Sequence, residues 1–586
     1  MNKIPKTLFR PLKPILSNTS CAPSNTTQSL SLSHAIDEIQ KATNAFQQLQ
    51  QSVQNTHNKL NKHKSITNDT TITSDDPNDT INSIQISRKG LFKTSHTHLT
   101  HEQRIKYKEQ PMTPLASELH TLIRLRGPLT IYEYMTKCLS HVQHGYYTNK
   151  SNIISSTGDF ITNPEISQIY GELVCIDCID KLYKLQQQTS TEFDTIQLIE
   201  LGPGNGTLLH DVLRAFKQFN NIYNKLQIHL VETSRIMRQK QCDLLGIQPH
   251  TIKYVSNDNN IYDSITPHTN SKTMKLYNQK SDIQSDKSTV YHELQDERVV
   301  ASGTTSDGID IIWYNDIRDV PAPLNIQSTC QFILAHEFLD ALPVHQFQYT
   351  ERGWCEVLVD IDEDITNKQY FRFVLSNSAT PAVNTFLPNK LGYNNAELGE
   401  RIEISPQQLA VTEDIVMRIG NGYGYCLLID YGDYKQYGNS LQAVKQHHYV
   451  NVLSEPGNVD LTTLVNFKHI TQIAQHTIKR FELNADVLPL ITQHEYLRNL
   501  GIAPRINALL GNMSDEQLER DADTLIKSAE RLVDMKQMGG LFKVLRLGSK
   551  QLILDELEHK PDKVSNDDDN NNSETSNQHT PTLTKQ

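Results

Sequence analysis

No apolar run in this 586-residue chain approaches 18 residues, so no transmembrane helix is expected. A basic excess is missing too. The 56 Lys and Arg stand against 67 Asp and Glu, a formal charge of −11, which lacks the positive footprint of a nucleic-acid binder. Cysteine is scarce, with eight residues scattered from Cys21 to Cys426. That is too sparse for a disulfide framework and suits a reducing compartment. There is no G-x-S-x-G elbow and no Walker loop, which removes those routes to a serine hydrolase or a P-loop enzyme. Apolar residues make up only 37%, and the shortfall concentrates at the two ends and in one internal stretch.

Those polar stretches cannot bury enough apolar surface to order themselves. Residues 1–36 carry Lys3, Lys6, Arg10 and Lys13, have dense Ser and Thr from Ser17 to Ser33, and contain no acid before Asp37. This is the composition of a mitochondrial transit peptide. The prolines at 5, 11, 14 and 23 interrupt its helical character, and a disordered cytosolic tail is the alternative. Residues 37–110 read as a low-complexity spacer, 256–306 as a disordered insertion and 551–586 as a disordered acidic tail. The folded domain is expected over 111–550.

Within it, Pro114-Leu-Ala-Ser-Glu-Leu119 opens an apolar-periodic helix, and Thr130 can cap another over Ile131–Leu139. Helical spacing runs from Ile166 to Leu185. A buried strand, Ile196–Leu201, then meets Gly202-Pro-Gly204-Asn-Gly206 and a helix, followed by a second strand, Gln227–Glu232. Strand, helix and strand at this spacing predict a parallel βαβ unit with right-handed crossover. Further buried strands are expected at Gln331–Ala335 and Tyr425–Ile429, a hairpin around Glu351-Arg-Gly353, helices over 488–538 and a last strand at Gly540–Leu547.

The glycine turn brings bare backbone N–H groups against an adenosine-type ligand. Gly202 permits the tight turn, Gly204 close approach and Gly206 helix–strand packing. Glu232, ending the next strand, can accept both ribose hydroxyls. Two details separate the candidate cofactors. Glu200 lies two residues before the first glycine, awkward for a pyrophosphate but suited to the ammonium and sulfonium of S-adenosylmethionine. The second and third glycines are also one residue too close for G-x-G-x-x-G. S-adenosylmethionine is therefore favoured over NAD, with a ligand-free glycine turn as the remaining option.

His336-Glu337-Phe-Leu-Asp340 follows a buried strand, at the sheet edge where open α/β folds bind ligands. Glu337 and Asp340 are the candidate catalytic pair, able to grip a guanidinium by charge-assisted hydrogen bonds. Acids decorating a helix N-terminus are the structural alternative. The segment is not a zinc-protease HExxH, since residue 340 is Asp. By composition, Gly158–Glu165 reads as helix capping. Cys175 and Cys178 lie mid-helix without a second pair, which favours core thiols. His96, His98 and His101 fall in the polar spacer, and no metal site is expected.

Taken together, the motifs resemble one family. They are Gly127–Met135, Gly145-Tyr-Tyr147, Gly158–Glu172, Ile199–Leu208, His229–Glu232, Leu334–His345, Asp430-Tyr-Gly432, Pro456–Thr462, Gln493–Leu497 and Met538-Gly539, in consistent order from about 113 to 548. This pattern is similar to the MidA family, which includes mitochondrial protein arginine methyltransferases acting in complex I assembly. The resemblance implies an α/β, class I (Rossmann-like) S-adenosylmethionine-dependent methyltransferase fold with added helical and β-hairpin elements. It implies symmetric dimethylation of an arginine on the 49-kDa-type core subunit of complex I, in the mitochondrial matrix. Gly202, Gly204, Gly206 and Glu232 would hold the cofactor; Gly158, Asp159 and Phe160 would close over it, revising the capping reading; Asp430 and Tyr431 would line the substrate side. Asn205 stands where the family usually has Arg, a change expected to matter little in a loop that binds through its backbone. A non-catalytic assembly chaperone and a methyltransferase with another protein or small-molecule target are the alternatives, and a homodimer is left open.

Overall fold

The computed structural model describes residues 112–150, 153–155, 158–254, 298–363, 370–387 and 396–552. The transit-peptide and spacer expectations, with the three spacer histidines and Cys21, lie outside the described residues. So do residues 256–297 of the expected insertion and 553–586 of the tail.

Thr113 opens the fold: its hydroxyl accepts the Ala116 N–H, and Pro114 takes the first position of α1 (Pro114–Arg126). Thr130 and Glu133 form a reciprocal capping box on α2 (Ile131–Ser140). The apolar periodicity after Ile166 becomes α3 (Ile169–Thr189). Next come β1 (Thr195–Leu201), α4 (Thr207–Phe216), β2 (Leu226–Val231), α5 (Arg235–Leu244), β3 (Val299–Thr304), β4 (Asp310–Tyr314) and β5 (Thr329–His336). A meander of β6 (His345–Thr350), β7 (Gly353–Ile361) and β8 (Phe371–Leu375) follows, with β9 (Arg401–Ile404) on its far side. The chain continues through α6 (Pro406–Gly420), β10 (Tyr423–Asp433) and a small antiparallel sheet of β11 (Gln442–Lys445), β12 (His448–Val450) and β13 (Asp460–Thr462). It ends with α7 (Phe467–Arg480), α8 (Gln493–Asn499), α9 (Ile502–Gly511), α10 (Asp515–Val533) and β14 (Phe542–Ser549).

The central sheet runs β14-β10-β5-β1-β2-β4-β3, with short strands Ala485–Val487 and Lys253–Tyr254 at its two edges. The five strands from β10 to β4 are parallel, while β14 and β3 are antiparallel to their neighbours. Parallel strands are covered on both faces, which is why β5 is buried at every position. One face packs against α3 and α4 through residues such as Tyr170 and Phe216, the other against α6 and α7 through Ile415 and Ile470. A separate core joins α1, α2, β7 and the small sheet. The strand order reverses between β1 and β5, so the loops after these strands open onto one crevice.

Two expected boundaries need correction. Residues 299–304, placed in the insertion, form β3. Their Ser-Gly-Thr end looks like loop, but Gly303 lets Ile247 pack where a Cβ would lie 2.5 Å from it. Leu552, placed in the tail, is fully buried against the central core.

Candidate active site

Gly202, Gly204 and Gly206 have φ of +62°, +54° and +86°, the left-handed region that glycine enters without strain. A Cβ at Gly202 would meet Phe338 at 2.8 Å, and one at Gly204 would meet Ile154 at 2.8 Å. The first obstacle at Gly204 is thus a protein side chain, whereas sequence reasoning had anticipated only cofactor. Gln241 sits under the turn: its amide donates to the Gly204 carbonyl (2.7 Å) and to Glu232 (3.2 Å), and its own oxygen accepts the Trp313 indole N–H (2.8 Å). Glu232 also accepts the Ser234 N–H at 2.7 Å. Each carboxylate oxygen can take a further donor, so capacity for two ribose hydroxyls remains. Burial pushes Glu232 up to about 7. Glu200 is 2% exposed, and its Oε2 has no hydrogen-bond partner. Burial, then the Glu232 charge, pushes it up to about 8.

The segment before α3 is tied to this turn. Glu165 accepts from Thr207 Oγ1 (2.6 Å) and Asn205 Nδ2 (3.0 Å), and Asn205 Nδ2 also donates to the Ile154 carbonyl (2.9 Å). Glu165 is therefore a clamp on the glycine turn. Asn205, expected to matter little, joins two segments through its side chain. Asp159 faces the other way. Its carboxylate accepts from Lys150 Nζ (2.6 Å), the Tyr146 hydroxyl (2.7 Å) and the Gln446 N–H (2.8 Å). Burial pushes its pKa up, but Lys150 and the other donors outweigh burial and leave it below the usual range. Asp159 thus fixes the loop's shape. Gly158 makes the tight turn, where a Cβ would sit 2.4 Å from the Ile153 carbonyl oxygen, and Phe160 packs on the α1–α2 core.

Acids gather beyond β5 and β10. Glu337 has φ +50°, an uncommon conformation for a residue with a side chain, fixed by its N–H donating to the Ile429 carbonyl (2.9 Å). Its carboxylate accepts the Asn163 N–H at 3.3 Å. Asp340 accepts the Tyr431 hydroxyl in a short bond. Asp430, fully buried, accepts the N–H groups of Leu339 (3.0 Å), Asp340 (3.2 Å) and Tyr431 (2.8 Å). Asp460 accepts the Tyr147 hydroxyl at 3.1 Å. Burial drives all four upward: Asp340 to about 6, Asp460 to about 8, and Glu337 and Asp430 well above the carboxylate range. Mutual repulsion adds to burial at Glu337, Asp430 and Asp460. His336 lies 3.6 Å from Glu337, but burial lowers it to about 3, so it is neutral.

The fold thus brings the glycine turn, Glu200 and Glu232 to one side of the crevice, and Glu337, Asp340, Asp430 and Tyr431 to the other. Sequence reasoning missed Gln241 and Trp313, which carry no local signature, and Asn163 and Tyr147, which lay inside noted motifs with no role assigned. Asp460 and Gln493 lay inside noted motifs without a role. Gln493 exchanges amide hydrogen bonds with Asn163 (2.8 and 3.2 Å). Cys175 and Cys178 are buried free thiols, as expected of core residues. Among the described residues no group of side chains could hold a metal, and no helix is long and apolar enough to cross a membrane.

S-adenosylmethionine fits these residues. Two buried carboxylates, one with an orphaned oxygen, can be stabilised by ammonium and sulfonium charges, whereas a pyrophosphate would add to their repulsion. The sheet order, the glycine turn and Glu232 define a class I S-adenosylmethionine-dependent methyltransferase. A family model described as "Putative S-adenosyl-L-methionine-dependent methyltransferase" matches residues 173–483. Two relatives are named mitochondrial protein arginine methyltransferase NDUFAF7 or its homolog. The Homo sapiens protein is 32% identical over 75% of this chain and 84% of its own. The Drosophila melanogaster protein is 32% identical over 74% and 84%. A Burkholderia thailandensis crystal structure bound to S-adenosyl-homocysteine shares the fold, with a TM-score of 0.51 at 19% identity over 77% of this chain and 95% of that one. The chain belongs to the MidA-type methyltransferase family.

Proposed function

We propose that the chain methylates arginine side chains of a mitochondrial protein, with the 49-kDa-type core subunit of complex I as substrate, the matrix as location and symmetric dimethylarginine as product. The acid cluster at the switch point carries this reading. Glu337, Asp340, Asp430 and Asp460 converge there, and among the described residues none forms an ion pair with a Lys or Arg. Such a cluster matches a guanidinium. The name of those relatives, protein arginine methyltransferase, supports the same substrate class.

When bound, S-adenosylmethionine supplies an electrophilic methyl group. Gly202, Gly204, Gly206, Glu200 and Glu232 would hold it. Protonated arginine is a poor nucleophile, so the protein must orient it and accept a proton. Glu337 grips one edge of the guanidinium. Asp340, with one oxygen engaged by Tyr431, presents its other oxygen to the target N–H and takes the proton as the nitrogen reacts. Asp430 does not touch substrate in this scheme; its bonds to the Leu339 and Asp340 N–H groups hold the 339–340 turn.

Purified protein, labelled S-adenosylmethionine and the candidate subunit provide the test. Label should appear on arginine as the symmetric dimethyl form, and Glu337→Gln and Asp340→Asn should abolish it with S-adenosyl-homocysteine binding intact. Label on another residue type, or full activity of both variants, refutes the reading.

A further inference from the structure

One short segment touches both halves of the site. Glu165 clamps the glycine turn, taking Thr207 Oγ1 (2.6 Å) and Asn205 Nδ2 (3.0 Å) on a single carboxylate oxygen. Two residues earlier, the Asn163 backbone N–H donates to Glu337 Oε1 at 3.3 Å. Among the described residues no other donor hydrogen-bonds that carboxyl group. Pro164, buried between the two, fixes its own φ and stiffens the single helical turn Asn163–Ile166 that carries both contacts.

Asn163 is fully buried, and its side-chain amide is held on both atoms. Nδ2 donates to Gln493 Oε1 on α8 (2.8 Å) and to Nε2 of His336 (2.9 Å), which is neutral and can accept there. Oδ1 accepts Gln493 Nε2 at 3.2 Å. These bonds anchor the segment on the substrate side as Glu165 anchors it on the cofactor side. The Glu337 backbone is held by its N–H on the Ile429 carbonyl (2.9 Å), so the Asn163 N–H decides where the carboxyl group points. At 3.3 Å that bond is looser than the common N–H···O distance of about 2.9–3.0 Å, which leaves room for it to tighten. A neutral carboxyl accepts the same N–H through its carbonyl oxygen, so the contact does not require Glu337 to be ionised.

We propose that Asn163 and Glu165 are positioning residues of one brace, through which cofactor held on the glycine turn draws the Asn163 N–H onto Glu337 and sets its carboxyl group for the incoming guanidinium. Coupling carried by a packed, hydrogen-bonded segment is reciprocal, so guanidinium binding strengthens cofactor binding by the same factor. The proposal rests on reading Glu337 as the arginine grip.

Two measurements on the full-length protein test it, both at saturating S-adenosyl-homocysteine. The first is hydrogen–deuterium exchange read by mass spectrometry. In wild type the ligand should slow exchange about fivefold in peptides covering residues 160–166 and 336–342, together with the glycine turn. In Glu165→Ala it should protect the glycine turn alone, and Glu165→Gln, which keeps an acceptor oxygen for Thr207 and Asn205, should restore the wild-type pattern. Protection of 336–342 that is absent in wild type, or that persists in Glu165→Ala, overturns the proposal. The second is calorimetry of ethylguanidinium binding with and without S-adenosyl-homocysteine. The ligand should strengthen binding about fivefold in wild type, and that ratio should fall to about one in Glu165→Ala. An equal ratio in the two proteins overturns the proposal. The expected exchange pattern with no ethylguanidinium binding to either protein supports the brace and sinks the arginine-substrate reading.

Discussion

Glu200→Gln offers a direct test of the cofactor crevice, because the same carboxylate burdens the free protein and serves the bound one. Burial and Glu232 raise Glu200 from an ordinary 4.5 to about 8. A carboxyl raised on folding binds more protons folded than unfolded, so its contribution to stability is full below 4.5 and falls as pH rises towards 8. At 1.36 kcal/mol per unit, that loss is under about 1 kcal/mol at pH 5 and about 3 kcal/mol at pH 7. Glutamine has the same shape and no charge to desolvate. The apo variant should therefore match wild type at pH 4.5 and gain stability progressively to pH 8, by about 1–3 kcal/mol near neutrality. Urea unfolding at four pH values reads this gain. The same variant should bind S-adenosylmethionine at least tenfold more weakly at pH 8 by calorimetry, the loss of one charge-assisted contact. A variant equally destabilised at every pH would refute the argument, since Glu200 would then be a packed structural residue. Unchanged cofactor affinity would refute its assignment to the crevice.

Gly204→Ala forces a Cβ onto φ +54° and into Ile154, which should cost about 1–2 kcal/mol and abolish S-adenosyl-homocysteine binding by calorimetry. Glu165→Ala removes both donors' shared acceptor, and cofactor affinity should fall about tenfold while thermal stability changes little. Asp430→Ala leaves three backbone N–H groups without their acceptor and should destabilise the protein by about 2–4 kcal/mol in urea unfolding. Cofactor affinity should rise as pH passes through 7 and 8, where Glu232 and Glu200 ionise. A flat affinity profile from pH 6 to 9 would separate those carboxylates from the cofactor.

Much of this molecule is written locally. Thr130 and Glu133 announce a helix start, and the apolar runs at β1, β5 and β10 announce strands buried on both faces. The order strand, glycine turn, helix, strand places a nucleotide-type site with Glu200 and Glu232 beside it, because such a loop depends on neighbours a few residues apart in the chain. β3 escaped that reading because Ser302-Gly303-Thr304 looks like loop, and the residue that packs against Gly303, Ile247, lies more than fifty positions away.

Tertiary structure alone decided how the acids are used. Asp159 and Glu337 are both acids in noted motifs, yet Lys150 and Tyr146 occupy the first, while the second sits buried among other acids. Asn163 and Gln493 stand 330 positions apart and exchange two hydrogen bonds. Residue type fixes which groups can carry charge. Burial and the identity of distant neighbours fix whether they do, and those are set only when strands β1, β5 and β10 bring their loops to one edge.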